Sequence, residues 1–183
     1  MHIIYLAGNS FGNKSWIEKI KTEFDKFSDG EILYYDHWQS GEKWINLQKE
    51  SEKLTEFAKD KTDYFVFAKS IGSVLALKNI FEKTLNPQKL IICGHPYPIA
   101  KQENLPIDEY LKTLTVPTVF IQNESDPVYS FDELSKTLKD NRPSNYHHIK
   151  NPDNNTHDYE DINGIIEIAK LYFENKSNLM HNE

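Results

Sequence analysis

Six short runs rich in Ile, Val, Tyr and Phe alternate along this chain with segments of helical periodicity. Such alternation is typical of a parallel sheet whose connecting helices cover both faces. The runs predict strands at residues 2–7, 31–36, 63–69, 88–94, 117–123 and 144–150. The segments between and after them predict helices at residues 14–28, 44–60, 71–85, 107–114, 131–139 and 160–176. The pattern therefore predicts an α/β fold.

The predicted helices each have one apolar face, which is typical of helices that pack on a common core. A chain of 183 residues is long enough to bury one core and short for two domains. We therefore predict one domain over residues 1–175 and a polar tail at residues 176–183 that frays. Three helix starts carry capping signals, namely Ser15 with Glu18, Ser130 with Glu133, and Asp158 before the last helix.

The balance of charges argues against polyanionic partners. There are 21 Lys and Arg residues against 28 Asp and Glu residues, so the formal net charge is −7. A nucleic-acid backbone or an anionic membrane is repelled on average, so we expect neither as a partner. Residues 1–8 lack a basic leader and a cleavage site, and we expect a cytoplasmic location. Cys93 is alone in a predicted strand, which excludes an internal disulfide and indicates a core thiol.

The most informative segment is residues 64–77, where a strand-like run turns at Ser70 into a helix with an apolar face. A serine on such a sharp turn has a strained backbone, and the residues two before and two after it must be small. Ala68 and Gly72 occupy these positions. The segment predicts a nucleophilic serine, with an ordinary helix cap as the alternative.

This segment resembles the nucleophile elbow of the alpha/beta-hydrolase superfamily, whose pattern is G-x-S-x-G, with Ala68 in place of the first glycine. The resemblance implies a single-domain fold of about six mostly parallel strands, ordered second, first, third, fourth, fifth, sixth, with helices on both faces. The family's two usual leading strands are missing, and residues 94–106 are too few for its helical cap domain. Lys69 takes the variable elbow position, where it tunes the elbow or reaches solvent.

A serine hydroxyl needs a base, and a histidine base needs a carboxylate that fixes its tautomer. In the superfamily the acid follows a late strand and the histidine follows the last strand. The resemblance therefore assigns Asp126 as the acid and His157 as the base of a triad with Ser70. Glu124 is the rival acid, and His95, which follows the strand beside the elbow, is the rival base.

Two backbone NH groups are also required to bind the oxyanion that forms during acyl transfer. The resemblance assigns one to Ile71, directly after the serine. It assigns the other to Asn9, in a loop that resembles the family's His-Gly loop with Ala7 in the histidine position. The glycine spacing of this loop fits neither nucleotide-binding fingerprint, and a plain turn is the alternative.

The resemblance implies a lidless esterase with an open cleft. Phe11, Trp38 and Tyr97 are candidates for its rim, although each aromatic side chain is equally suited to the core. We expect a serine hydrolase that cleaves a small carboxylic ester and needs neither a metal nor an organic cofactor. An acyltransferase or thioesterase with the same triad, and a catalytically silent binding protein of the same fold, remain as alternatives. The oligomeric state stays open.

Overall fold

One sheet of six parallel strands forms the centre of the molecule in the computed structural model, which describes residues 2–151 and 155–174. Its order is β2-β1-β3-β4-β5-β6, which confirms the predicted topology. All five neighbouring pairs are parallel, so the carboxyl ends of the strands share one edge. The strands are β1 (His2–Leu6), β2 (Asp29–Ile32), β3 (Tyr64–Lys69), β4 (Lys89–Cys93), β5 (Thr118–Asn123) and β6 (Tyr146–Asn151).

Helices cover both faces of this sheet. Helix α1 packs on α8, whereas α4 packs on α3 and α6, and α6 packs on α7. Within the described ranges the helices are α1 (Gly12–Phe24), α2 (His37–Ser40), α3 (Leu47–Ala58), α4 (Ile71–Phe81), α5 (Tyr97–Gln102), α6 (Ile107–Lys112), α7 (Phe131–Asn141) and α8 (Ile162–Phe173). None of the helices in these ranges is long and apolar enough to cross a lipid bilayer.

Interior strands of the sheet are more buried than its edge strand β2. Every residue of β3 and β5 is buried, whereas in β2 only Ile32 is. On the α1 and α8 side, Phe24 contacts Phe67 with ring centroids 5.7 Å apart, and Phe65 stacks on Phe173 at 4.8 Å. These aromatic contacts add to the apolar area removed from water and pack the first half and the middle of β3 against α1 and α8.

Strand β2 begins and ends earlier than predicted. Its first residues pair with the start of β1, and a Cβ on Gly30 would collide with the carbonyl of Ile3. After β2 the chain turns into α2, which, like α5, is too short to show a helical period. Helix α3 begins at Leu47 because the side chain of Asn46 accepts from the Lys49 amide at 3.0 Å.

One predicted capping box is confirmed and another is wrong. The Ser130 side chain accepts from the Glu133 amide, and the Glu133 carboxylate accepts from the Ser130 amide, at the start of α7. Ser15 lies inside α1 and donates to the carbonyl of Gly12 at 3.0 Å. Helix α1 starts at Gly12, three residues before Ser15, and no side chain caps that start. The spacing of Ser15 and Glu18 alone does not indicate the earlier start.

The cap of the last helix is also different from the prediction. Asp161, not Asp158, accepts from the Gly164 amide at 3.0 Å and begins α8. The chain cannot enter the helix at Asp158 because Tyr159 has a left-handed φ of 56°. The predicted tail at residues 176–183 lies outside the described residues.

Candidate active site

Ser70 stands between β3 and α4 with φ 50° and ψ −123°, a conformation that non-glycine residues rarely adopt. Its amide donates to the Cys93 carbonyl at 2.9 Å, and its carbonyl accepts from the Ser73 hydroxyl at 2.6 Å. A Cβ on Gly72 would lie 2.6 Å from two main-chain oxygens at the end of β1, so only glycine fits there. Neighbouring strands and the first turn of α4 thus hold the strained turn in place.

The structure brings Ser70, His157 and Asp126 together. Nε2 of His157 lies 2.9 Å from Oγ of Ser70, and Nδ1 lies 2.8 and 3.0 Å from the two carboxylate oxygens of Asp126. The Asp126 side chain is fully buried, while 21% of the His157 side chain is exposed. With a hydrogen on Nδ1 directed at Asp126, Nε2 is left to accept the proton of the Ser70 hydroxyl.

Several further donors fix the Asp126 carboxylate. The Tyr159 hydroxyl donates at 2.9 Å, the Val128 amide donates at 2.9 Å and the Gln122 side-chain amide donates at 3.3 Å. A carboxylate held by so many donors has one orientation, and it passes that orientation to the His157 ring.

Tyr159 ties the histidine loop to the rest of the fold, and sequence reasoning missed it. Its hydroxyl accepts from the Asn123 amide at 3.0 Å, and its carbonyl accepts from the Trp16 indole at 2.9 Å. A Cβ on Gly94 would lie 2.5 Å from the Tyr159 ring and 3.1 Å from the His157 ring. Burial, and then the nearby Asp126 charge, raise the pKa of Tyr159, so its hydroxyl remains a donor.

Asn9 lies in a tightly bonded loop between β1 and α1. Its carbonyl accepts from His37 Nε2 at 2.6 Å and from the Trp38 indole at 2.9 Å. Its side chain donates to the Lys43 carbonyl at 3.0 Å and accepts from the Ile45 amide at 2.9 Å. Helix α2 therefore immobilises the loop in which Asn9 lies.

The backbone NH groups of Asn9 and Ile71, predicted from the sequence to bind an oxyanion, have no hydrogen-bond partner among the described residues. Within residues 2–151 and 155–174, no hydrogen bond occupies the Asn9 amide. Ile71 is the first residue of α4, and an amide in the first turn of a helix has no partner inside that helix. Ile71 directly follows Ser70 in the elbow, and Asn9 lies in the loop that follows β1.

The predicted rim residues have different surroundings. Phe11 and Trp38 line a shallow hollow of about 230 Å³. The Trp38 indole also donates to the Asn9 carbonyl, so Trp38 both holds the loop after β1 and lines the surface hollow. Tyr97 stacks on Tyr129 with ring centroids 5.3 Å apart and donates to Asp108 at 2.7 Å, which places it beside the acid loop.

Neither the rival acid nor the rival base forms a hydrogen bond with the Ser70 hydroxyl within the described ranges. Glu124 forms an ion pair with Lys150 at 2.8 Å on the surface. His95 is fully buried, and its Nδ1 lies 2.8 Å from the Ser73 hydroxyl. Burial lowers the pKa of His95 to about 3, so this ring is neutral. Cys93 is a buried thiol whose pKa is raised by burial.

Lys69 does not reach solvent, so that part of the expectation is wrong. Lys69 is only 3% exposed. Its Nζ donates to Asn13 Oδ1 at 2.6 Å and lies 5.0 Å from the centroid of the Trp16 ring. The strand period directs Lys69 to the same face as Phe67, under α1, which sequence reasoning did not consider. Within the described part of the chain, no three His, Cys, Asp or Glu side chains are grouped to hold a metal ion.

Comparison with known families agrees with this geometry. A family model described as an alpha/beta hydrolase domain matches residues 38–163, which is more than half of the chain. The chain belongs to the alpha/beta hydrolase family. Comparison with curated protein sequences gives no match.

Solved structures of alpha/beta hydrolases have the same fold. The structure resembles Est1E from Butyrivibrio proteoclasticus with ferulic acid bound, with a TM-score of 0.75, 12% identity, and coverage of 94% of this chain and 88% of that one. It also resembles alpha/beta hydrolase domain-containing protein 10 from mouse, with a TM-score of 0.71, 13% identity, and coverage of 94% and 89%.

An uncharacterized protein from Bacillus cereus has a TM-score of 0.74 and 19% identity over 96% of this chain. This chain spans 59% of the length of the Bacillus cereus protein. At these identities the likeness concerns the fold.

Proposed function

We propose that this alpha/beta hydrolase is a serine hydrolase that cleaves a small carboxylic ester through an acyl-enzyme on Ser70. The observation that carries the proposal is the position of His157, whose ring nitrogens lie 2.9 Å from the Ser70 hydroxyl and 2.8 Å from Asp126. Membership of the alpha/beta hydrolase family supports hydrolytic chemistry, and the fold is shared with Est1E, whose structure has ferulic acid bound. A protein that only binds a ligand has no need of this arrangement.

In the first half of the reaction, Ser70 Oγ attacks the carbonyl carbon while His157 Nε2 takes the hydroxyl proton. The carbonyl π electrons move onto oxygen, and the NH groups of Ile71 and Asn9 donate to the resulting oxyanion. Asp126 stabilises the imidazolium. The ester C–O bond then breaks, and the alcohol leaves with the proton that His157 returns.

In the second half, water replaces the alcohol at the same position. His157 removes a proton from the water, the oxygen attacks the acyl carbon, and a second oxyanion forms at the same two NH groups. The carbon–Oγ bond breaks, Ser70 regains its proton from His157, and the carboxylic acid leaves. Each oxyanion donor of this kind contributes about a hundredfold to a thousandfold in rate.

The surroundings of the triad favour a small-molecule substrate. Among the described residues there is no cap domain, since α5 and α6 are only six residues each and pack against other helices. The rim that we assign to Phe11, Trp38 and Tyr97 is therefore open. A net charge of −7 gives no attraction to a nucleic acid or an anionic membrane, and we propose neither as a partner.

The test is covalent labelling of the purified protein with a fluorophosphonate probe. We expect the wild type to be labelled, and the variants Ser70→Ala and His157→Ala to take no label. Ser40→Ala, which removes an exposed hydroxyl, is the matched control and should be labelled like the wild type. Folding of each variant is checked by circular dichroism.

A folded wild type that takes no label overturns the proposal in favour of a binding protein. If labelling succeeds, product analysis with competing alcohols and thiols separates a hydrolase from an acyltransferase, and thioester substrates separate an esterase from a thioesterase.

A further inference from the structure

Lys69 carries a buried ammonium group without a carboxylate partner. The residue is 3% exposed, and its one hydrogen bond runs to the neutral Oδ1 of Asn13 at 2.6 Å. Among residues 2–151 and 155–174, no carboxylate oxygen lies within 4.0 Å of its Nζ. Removing an ammonium from water is costly unless a counter-charge and hydrogen bonds replace the water. An ammonium has three donor hydrogens, so two remain for another acceptor.

This ammonium lines a hollow of about 430 Å³ between the start of α1 and the loop that precedes α8. Trp16 and Asn13 form one side of the hollow, and Asp158 and Glu160 lie on the other. The Asn13 side chain is itself fixed, since its Nδ2 donates to the Ser10 hydroxyl at 2.7 Å. The hollow is therefore a formed site with an oriented cation, rather than a gap between mobile side chains.

Three residues that line the hollow are sequence neighbours of residues in the proposed catalytic site. Lys69 directly precedes Ser70, Asp158 directly follows His157, and Ser10, which also lines the hollow, directly follows Asn9. Consecutive Cα atoms are about 3.8 Å apart, so each wall of the hollow is one residue from a catalytic group.

We infer that the substrate carries a carboxylate, and that this carboxylate pairs with the Lys69 ammonium in the hollow beside the ester bond. The inference rests on the proposed serine hydrolase function. The substrate thus supplies the counter-charge that the fold omits. A charge-assisted hydrogen bond from a buried ammonium is strong and directional, so it orients the ester as well as selecting it.

Other charges around the hollow do not take this place. Lys19, Asp158 and Glu160 all line it but are exposed, so water screens them. Burial lowers the pKa of Lys69 to about 8, against the opposing effects of Asp158, Cys93 and Asp126. The cation is therefore largely present near neutral pH and is lost as the pH rises through 8.

The experiment compares esters that differ only in one charge. Each para-nitrophenyl half-ester of succinate, glutarate or adipate is paired with its mixed diester, in which the free carboxylate is methylated and therefore neutral. A second arm moves the charge to the alcohol side, with the butyrate ester of meta-hydroxybenzoic acid and its neutral methyl ester. The quantity measured is the ratio of kcat/KM for the charged ester to that for its neutral partner.

The variants are Lys69→Met, which keeps an unbranched apolar stem against Trp16, and Lys112→Met, which removes one exposed charge from α6 on the other face. We expect the wild type to prefer the charged member of at least one pair. Lys69→Met should lower that ratio at least tenfold, and Lys112→Met should leave it within about twofold. A purely structural role of Lys69 lowers both rates together and leaves the ratio unchanged.

The pH dependence gives an independent readout. The ratio should fall as the pH is raised from 7 to 9 in the wild type, and it should be flat in Lys69→Met. The inference is overturned if the wild type hydrolyses the neutral ester as well as the charged one in every pair. It is also overturned if Lys69→Met leaves the ratio unchanged. Either result leaves the proposed function standing. Absence of both hydrolysis and probe labelling instead overturns the proposed function.

Discussion

The variant Tyr159→Phe tests the hydrogen bonds that hold the loop containing His157 in place. The change removes one hydroxyl and keeps the ring that packs beside Gly94. That hydroxyl donates to Asp126 at 2.9 Å and accepts from the Asn123 amide at 3.0 Å. Tyr159 and Asn123 are both 0% exposed, so water does not reach the amide that loses its acceptor.

The expected loss of stability follows from these two contacts. A hydrogen bond to a charged group contributes about 1.5–3 kcal/mol, and a buried donor left without a partner costs about 1–3 kcal/mol. The two effects share one hydroxyl and are not additive, so we expect the free energy of unfolding to fall by about 2–4 kcal/mol. For a domain of this size the midpoint Tm should fall by about 5–10 °C. The rate of fluorophosphonate labelling should fall about tenfold, because Asp126 orients His157 less firmly.

Urea denaturation followed by circular dichroism gives the free energy of unfolding, and labelling is timed at a temperature where the variant is folded. Tyr172→Phe is the matched control. Tyr172 is 9% exposed, and its hydroxyl has no hydrogen-bond partner among the described residues, so its removal should change stability by less than about 0.5 kcal/mol. Equal effects of the two variants would refute the reasoning, as would a Tyr159→Phe variant with wild-type labelling.

Three further changes test other parts of the fold and site. Asp126→Asn should lower the labelling rate about a thousandfold or more while the circular dichroism spectrum stays unchanged; a rate within tenfold of the wild type would exclude Asp126 as the acid. Gly72→Ala should lower the free energy of unfolding by about 1–3 kcal/mol in urea, because its Cβ would lie 2.6 Å from two main-chain oxygens, and Gly12→Ala, where the nearest atom is at 3.8 Å, should be close to neutral; equal losses would contradict this account. Burial lowers the pKa of His95 from 6.5 to about 3, so below pH 6.5 the unfolded chain binds a proton that the folded chain does not, and stability falls as the pH is lowered. Between pH 7 and pH 5 this loss should reach about 2 kcal/mol, and His95→Gln should reduce the slope; an equal slope in both proteins would refute it.

The parts of the fold that sequence could predict are those governed by short-range patterns. The runs that became β3 and β5 are mostly apolar and are buried throughout because both faces of an interior parallel strand are covered. Ser130 and Glu133 lie three residues apart in one turn, so their mutual capping follows from local geometry. The positions of Ser70, Asp126 and His157 came from a family resemblance, and the structure brings the three side chains into hydrogen-bond contact.

The remaining features depend on contacts between distant residues. Tyr159 and Asn123 are bonded across 36 residues, and nothing in either local sequence marks the pair. Lys69 is buried because Asn13 and the ring of Trp16, both in α1, cover it, which a strand period alone does not indicate. Asp158 has the right residue type for a cap, but Tyr159 has a left-handed backbone that delays the helix.

The separation of Ser70 from its base has a consequence for the order in which the protein is made. The two residues are 87 positions apart, and the loop that carries His157 is fastened to Trp16 near the other end of the chain. During synthesis the chain emerges from its amino end, so Ser70 leaves the ribosome well before His157. Under the proposed mechanism, the Ser70 hydroxyl has no base to activate it until His157 has joined the fold. That mechanism therefore predicts that the nascent protein is protected from premature acylation until the sheet has received its last strand.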